Sequence, residues 1–174
     1  MGVDLFWRRL SGETVATRSP QELGAMVPYW FDPEFGPLGC AGMVMGVERL
    51  GDLMHAVLTF GGRAEGACQL PVYGGDVRTE GEVHPEFGFL GTEVWVLEPS
   101  DVREAARFLR DVDVAERVRV VEPVLAEDVD SPSDLLVPWD DALKESLCER
   151  LVRLGTFFTA AANAGDAVVK YQVA

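Results

Sequence analysis

The sequence predicts a single α/β domain of the α+β type over residues 1–174, in which helices flank a mixed β-sheet. Three observations favour this fold class. Hydrophobic residues make up 48% of the 174 residues, which is enough to bury one core. Short β-forming runs alternate with amphipathic helical segments. A long helical pattern near the C-terminus is followed at once by a β-branched run, and no linker or repeat divides the chain.

The first elements are a strand and a short helix. Residues 3–10 combine apolar and aromatic side chains and predict a strand at the start of a sheet. Ser19, Pro20 and Glu22 have the spacing of a capping box, so a short helix is expected from Pro20 to Val27. Residues 28–42 contain three prolines and four aromatic residues, and they predict a loop.

The middle of the chain predicts a helix over residues 43–60, because Val47, Leu50 and Met54 recur on one helical face. A short strand is expected over 77–83 and another over 92–98. Ser100 is expected to cap a helix over 101–110, and a further short helix is expected over 114–121.

The C-terminal segment has the clearest periodicity. Asp140 or Asp141 is placed to cap a long helix, and Gly165 is placed to end it. The apolar positions of this helix form a core stripe, which comprises Leu143, Leu147, Leu151, Leu154, Phe158 and Ala161. Residues 167–173 are rich in β-branched side chains and predict a closing strand inside the sheet.

The charge and the cysteines restrict the function classes. The chain has 29 acidic and 15 basic residues, a formal net charge of −14, which argues against nucleic acid as a partner. Acidic residues concentrate in 76–86 and 111–134, and no apolar run is long enough for a membrane span. Cys40, Cys68 and Cys148 are widely spaced, so we expect reduced, mostly buried cysteines in a cytoplasmic protein.

One line of polar residues on the predicted helix has the chemistry of a site. Glu48, Asp52 and His55 stand at i, i+4 and i+7, so a continuous helix places them on one face. Two carboxylates and an imidazole in this arrangement suit acid–base catalysis or a divalent metal. The alternative is the ordinary solvated face of an amphipathic helix, and no metal or cofactor is assigned.

Two further groups are candidates. Trp30, Phe31 and Phe35 either stack against a ligand ring or plug the edge of the core. Glu82, His84 and Glu86 alternate in sequence, either as a proton-sensitive cluster or as an ordinary acidic loop. The sequence contains no phosphate-binding, dinucleotide-binding, nucleophile-elbow or zinc-protease motif, so no cofactor is expected.

Several segments, taken in order, resemble the YfbM-like family of small bacterial proteins of unknown function. The opening MGVDLFWRRLS is similar to the start of that family, LMHAVLT to its central helix, and residues 89–109 to its strand and following helix. The most specific similarity lies in residues 137–174, where the terminal helix, an aromatic pair and a turn precede the last strand. The family's usual tryptophan before the helix histidine is absent. The resemblance implies an α/β fold and a bacterial, cytoplasmic protein, and it implies no reaction.

Two functions are compatible with these observations. The first is a non-catalytic interaction protein, such as an inhibitor of a basic partner protein, because a strongly negative surface accelerates association with a cationic one. The second is a small enzyme or a metal- or ligand-binding domain that uses His55 with Asp52 and Glu48. The sequence favours the first, because catalysis usually requires a more distinctive motif.

Overall fold

The computed structural model describes residues 4–59, 66–86, 88–129 and 139–173. The strands in this part of the chain are β1 (Asp4–Leu10), β2 (Val44–Val47), β3 (Asp76–His84), β4 (Gly88–Leu97) and β5 (Ala167–Val173). They form one five-stranded sheet in the order β2-β1-β5-β4-β3, and each neighbouring pair is antiparallel. The predicted α+β class is confirmed, with a sheet that is antiparallel throughout rather than mixed.

The helices surround this sheet. Those of the described residues are α1 (Gly12–Thr17), α2 (Pro20–Ala25), α3 (Phe35–Cys40), α4 (Gly51–Thr59), α5 (Pro99–Asp111), α6 (Val114–Val129) and α7 (Asp141–Ala164), with a short 3-10 helix at Gly66–Cys68. None of them combines the length and the apolar character that a membrane span requires.

Strand β1 is covered by apolar side chains on both faces of the sheet. In β1, Leu5 and Trp7 point to a large apolar cluster that includes side chains of α4, α5 and α7. Phe6 and Leu10 point the other way, to a smaller cluster that includes Val15 of α1 and residues of α2. Alternate residues of a strand face opposite sides, so the apolar run from Leu5 to Trp7 follows from burial of this strand on both faces.

The C-terminal predictions are confirmed. The side chain of Asp140 accepts a hydrogen bond of 2.8 Å from the Leu143 amide and so caps α7. Gly165 ends the helix with a φ of 73°, a left-handed conformation that glycine adopts at little cost. Leu147 and Leu151 are buried, and β5 lies between β1 and β4 in the sheet. Helix and strand together therefore close the core.

The predicted helix over 43–60 is wrong in its first half. Residues 44–47 form β2 instead, paired with β1 from Leu5↔Val47 to Arg8↔Val44. Arg49 then adopts a φ of 53°, and α4 starts at Gly51. The apolar run that precedes the turn suits either a strand or a helix, and its pairing with β1 decides between them.

Other element boundaries also differ from the expectations. The predicted capping box at Ser19 is present and α2 ends at Ala25, whereas the predicted loop over 28–42 contains the short helix α3. Strands β3 and β4 are longer than predicted and form a hairpin. Helix α5 starts at Pro99 with Glu98, not Ser100, at the N-cap position, and α6 extends to Val129. Positions 3, 60 and 130–134 of the predicted segments lie outside the described residues.

Candidate functional site

The structure separates the predicted line of Glu48, Asp52 and His55. Because α4 starts at Gly51, Glu48 lies in the exposed turn after β2, and the other two residues lie on the helix. The three side chains therefore do not share one helical face. Within the described residues, no group of three or more histidine, cysteine, aspartate and glutamate side chains is placed to hold a metal ion.

Asp52 and His55 both contact Tyr73. The Tyr73 hydroxyl donates a hydrogen bond of 2.7 Å to Asp52 Oδ1, and the His55 and Tyr73 rings meet edge to face at 5.0 Å between centroids. Burial lowers the pKa of His55, the nearby charge of Lys170 lowers it further, and Asp52 opposes both effects. His55 Nδ1 is buried and has no hydrogen-bond partner among the described residues. His55 is therefore a neutral imidazole at pH 7.

Lys170 is a buried titratable residue that the sequence reasoning missed. It is the fourth residue of β5, its side chain is fully buried, and burial holds its pKa well below the usual range. Its Nζ atom donates hydrogen bonds to the carbonyl oxygens of Leu70, at 2.8 Å, and of Gly74. A signal was available, because a lysine inside the run AVVKYQV breaks the β-branched pattern of a strand predicted to be central.

The predicted aromatic residues divide into two roles. Trp30 packs edge to face on Phe6 and Phe35 with centroid separations of 5.0 and 4.9 Å, and its indole N–H donates a hydrogen bond of 2.7 Å to Asp4 Oδ2. These contacts join the aromatic segment to the core. Phe31 is 90% exposed and makes no such contribution. Trp30 and Phe35 are thus fixed in place, while Phe31 projects from the surface beside them.

A cavity of about 550 Å³ lies beside the edge strand β2. Its lining includes the three aromatic side chains, the turn residue Glu48 and two arginines of α7. The lining residues are Asp4, Trp30, Phe31, Phe35, Gly39, Val44, Met45, Gly46, Glu48, Arg150 and Arg153. The cavity therefore brings Glu48 together with the predicted ring-stacking residues, and Asp52 and His55 are not among its lining residues. A second cavity, of about 710 Å³, lies where the α5–α6 junction meets α7.

The β3–β4 hairpin carries the third predicted cluster. Glu82 and His84 are on β3, and the Glu86 amide donates a hydrogen bond of 3.2 Å to His84 Nδ1 just beyond the strand. The described hairpin residues from Thr79 to Glu93 are mostly exposed. We call these residues, 79–86 and 88–93, the acidic arm.

The three cysteines form no disulfide with one another, and they are less buried than predicted. Cys40 is exposed on α3, and Cys68 and Cys148 are half-buried. Burial raises the pKa of the Cys148 thiol, so that thiol is protonated at pH 7.

Comparisons with known proteins bear on the fold. No protein-family model matches the chain, and no curated protein matches it. Among solved structures, the chain is similar to the crystal structure of YfbM from Escherichia coli, a protein of unknown function, with a TM-score of 0.53 and 14% sequence identity. The similarity covers 98% of this chain and 99% of that chain. The resemblance to YfbM-like proteins that the sequence indicated is therefore confirmed as a similarity of fold.

Proposed function

We propose that this protein is a non-catalytic binding protein that engages a basic protein partner through the acidic arm. The observation that carries the proposal is the projection of the arm beyond the rest of the sheet. β4 pairs with β5 only from Val94 to Leu97, and β3 is an edge strand. From Thr79 and Glu93 outward, the two strands therefore pair with each other alone.

The arm combines exposed apolar side chains with a free strand edge. Val83 and Phe89 are directly paired across the hairpin and are 78% and 42% exposed. Cross-strand partners lie on the same face, so these two side chains form one apolar surface near the tip. The base of the arm is held against α2, because the backbone amide of Gln21 donates a hydrogen bond of 3.0 Å to Glu80 Oε2. An exposed apolar tip on an anchored base is typical of a contact surface.

The charge of the arm supports a cationic partner. Glu80, Glu82, Glu86 and Glu93 lie on it, and no lysine or arginine occurs from Thr79 to Glu98. The whole chain carries a formal charge of −14, so the arm projects from a molecule of the same sign. Such a field attracts and orients a basic surface, which the apolar tip then contacts at short range.

The proposal includes a bacterial, cytoplasmic setting. The cysteines support it, because none forms a disulfide with another, and reduced thiols persist where glutathione and thioredoxin act. The fold shared with an Escherichia coli protein also supports it.

The alternative, an enzyme that uses His55 with Asp52 and Glu48, has less support. Glu48 lies apart from the other two, and Asp52 already accepts a hydrogen bond from Tyr73.

Site-specific photo-crosslinking tests the proposal. A benzophenone amino acid is placed at Val83 in the arm and, as a matched control, at Val152, an exposed valine of α7. Irradiation in bacterial cytoplasmic extract is expected to give an adduct with a basic protein from position 83 and none from position 152. The same adducts from both positions, or an acidic partner at position 83, would contradict the proposal.

Charge variants test the electrostatic contribution. Glu82→Gln with Glu86→Gln is expected to reduce the yield of the crosslink from position 83, because the attraction to the basic partner is weakened. Glu145→Gln with Glu149→Gln removes the same charge from exposed positions of α7 and is expected to leave the yield unchanged. Raising the salt concentration should likewise reduce the yield of the crosslink from position 83. A yield that does not change with salt would exclude electrostatic recognition.

A further inference from the structure

The lining of the cavity beside β2 includes three aromatic side chains, here called the aromatic wall, and two arginines, here called the cationic wall. Trp30 and Phe35 are held by their edge-to-face contacts, and Phe31 stands next to them with 90% of its surface exposed. A volume of about 550 Å³ lies within the range of small-molecule sites, and convergent aromatic side chains are typical of their linings. A planar ring therefore has a surface to stack on here.

The cationic wall is made by Arg150 and Arg153 of α7. They stand at i and i+3, so both project from the same side of the helix into the cavity. Within the described ranges neither arginine forms a salt bridge, and Arg150 Nε donates just one long hydrogen bond, of 3.4 Å, to Ser146 Oγ. Their guanidinium groups suit a carboxylate.

The acidic residues of the cavity differ in availability. Asp4 accepts the hydrogen bond of the Trp30 indole, so its Oδ2 atom is occupied. Glu48 is exposed in the turn after β2, and in the described part of the chain its carboxylate accepts no hydrogen bond, so it is available to a cationic amine. The cavity thus presents a ring-stacking wall, two anion-binding groups and one amine-binding group.

We propose that this cavity binds a free aromatic α-amino acid. Its ring stacks on the aromatic wall, its carboxylate pairs with Arg150 and Arg153, and its ammonium group pairs with Glu48. All three groups are required for full affinity, because each pairs with different residues of the lining. This site does not involve the acidic arm, so its failure and the failure of the proposed function are distinguishable.

Isothermal titration calorimetry on the full chain tests the ligand class with four probes. L-Phenylalanine is compared with L-phenylalaninamide, which lacks the carboxylate, with 3-phenylpropionate, which lacks the amine, and with L-alanine, which lacks the ring. L-Phenylalanine is expected to bind at least about tenfold more tightly than each analogue, as loss of one charge-assisted contact or of ring stacking predicts. Equal binding of the amide, or no binding of L-phenylalanine, would overturn the proposal.

Variants connect the affinity to the walls. Arg150→Gln with Arg153→Gln is expected to remove the preference for L-phenylalanine over its amide, whereas Arg107→Gln with Arg110→Gln, an equally spaced pair on α5, keeps it. Glu48→Gln should weaken the binding of L-phenylalanine and leave the affinity for 3-phenylpropionate unchanged. Phe31→Ser should weaken the binding of every ring-containing probe. Because Phe31 is exposed, this substitution is not expected to unfold the protein. If the arginine pair proves unstable, the exposed Arg153→Gln alone decides, and an unchanged preference there would also overturn the proposal.

Discussion

The Nζ atom of Lys170 donates a hydrogen bond of 2.8 Å to the carbonyl oxygen of Leu70, a residue 100 positions earlier in the chain. A second bond joins the amine to the Gly74 carbonyl, and the Trp7 indole N–H donates to the Pro71 carbonyl at 2.8 Å. The side chains of Trp7 and Lys170, both on the sheet, thus donate hydrogen bonds to backbone carbonyl groups of the segment 70–74. These carbonyls are neutral, and none of the salt bridges among the described residues includes Lys170, so a charged amine here is incompletely compensated.

Lys170→Met is expected to change how stability depends on pH. The folded-state pKa of Lys170 lies well below its unfolded value of about 10.4, so between the two the unfolded chain holds more protons. Lys170 therefore adds a contribution to the free energy of unfolding of the wild type. This contribution rises with pH toward pH 10, by up to about 1.4 kcal/mol per pH unit. Urea unfolding at pH 7, 8 and 9 measures the slope.

The slope for Lys170→Met should be shallower than that of the wild type in this interval. Lys144→Met is the control, because Lys144 is paired with Glu122 at 2.7 Å and its pKa is raised. Parallel slopes for the wild type and Lys170→Met would show that the buried amine titrates as it does in the unfolded chain.

His55 is expected to titrate below its usual pKa of 6.5, because burial and Lys170 both disfavour the imidazolium form. Lys170→Met should raise the pKa of His55, and Asp52→Asn should lower it further by removing the opposing carboxylate. NMR titration of the His55 ring protons, assigned with His55→Gln, measures both shifts. Because the folded pKa is depressed, stability should also fall as the pH drops through 6.5.

A lowered His55 pKa in Lys170→Met, or a raised one in Asp52→Asn, would contradict the arrangement of charges around His55. Glu48→Gln is the matched control, since Glu48 lies in the turn before α4 and is not among the groups that shift the pKa of His55.

Gly46→Ala is expected to destabilise the fold by about 1–3 kcal/mol, the usual cost of overpacking. A Cβ atom at this position would lie 2.7 Å from Trp30 Cη2 and 2.8 Å from Phe6 Cε1, so the aromatic wall would have to shift. Urea unfolding measures the change. Gly36→Ala, in α3 with nothing within 4 Å of the added atom, is the control and should cost nothing. Equal effects at both positions would place the tryptophan ring elsewhere.

Asp140→Ala is expected to reduce the free energy of unfolding by about 1 kcal/mol, because the cap on the Leu143 amide is lost. Asp140→Ser retains an acceptor and should recover most of the loss. Thermal unfolding followed by circular dichroism compares the two. A similar loss in both variants would mean that charge at the helix terminus, and not the hydrogen bond, stabilises α7.

Elements whose signals are local were predictable from sequence. The capping box from Ser19 to Glu22, the Asp140 cap, the apolar stripe through Leu147 and the Gly165 terminus involve residues within a few positions of one another. Propensity and side-chain periodicity act over this range, so each could be predicted. The closing strand was also predictable, because a β-branched run of its length suits a central position.

The tertiary structure decided what depends on distant partners. Residues 44–47 became a strand because β1 offered backbone hydrogen bonds to them, and this moved Glu48 off the helix of His55 and into the aromatic cavity. Arg150 and Arg153 reach that cavity because α7 packs beside β2, and Lys170 is buried because a segment about 100 residues away covers it. Local sequence patterns do not predict such contacts, because the contacts form between surfaces that meet only after the chain has folded.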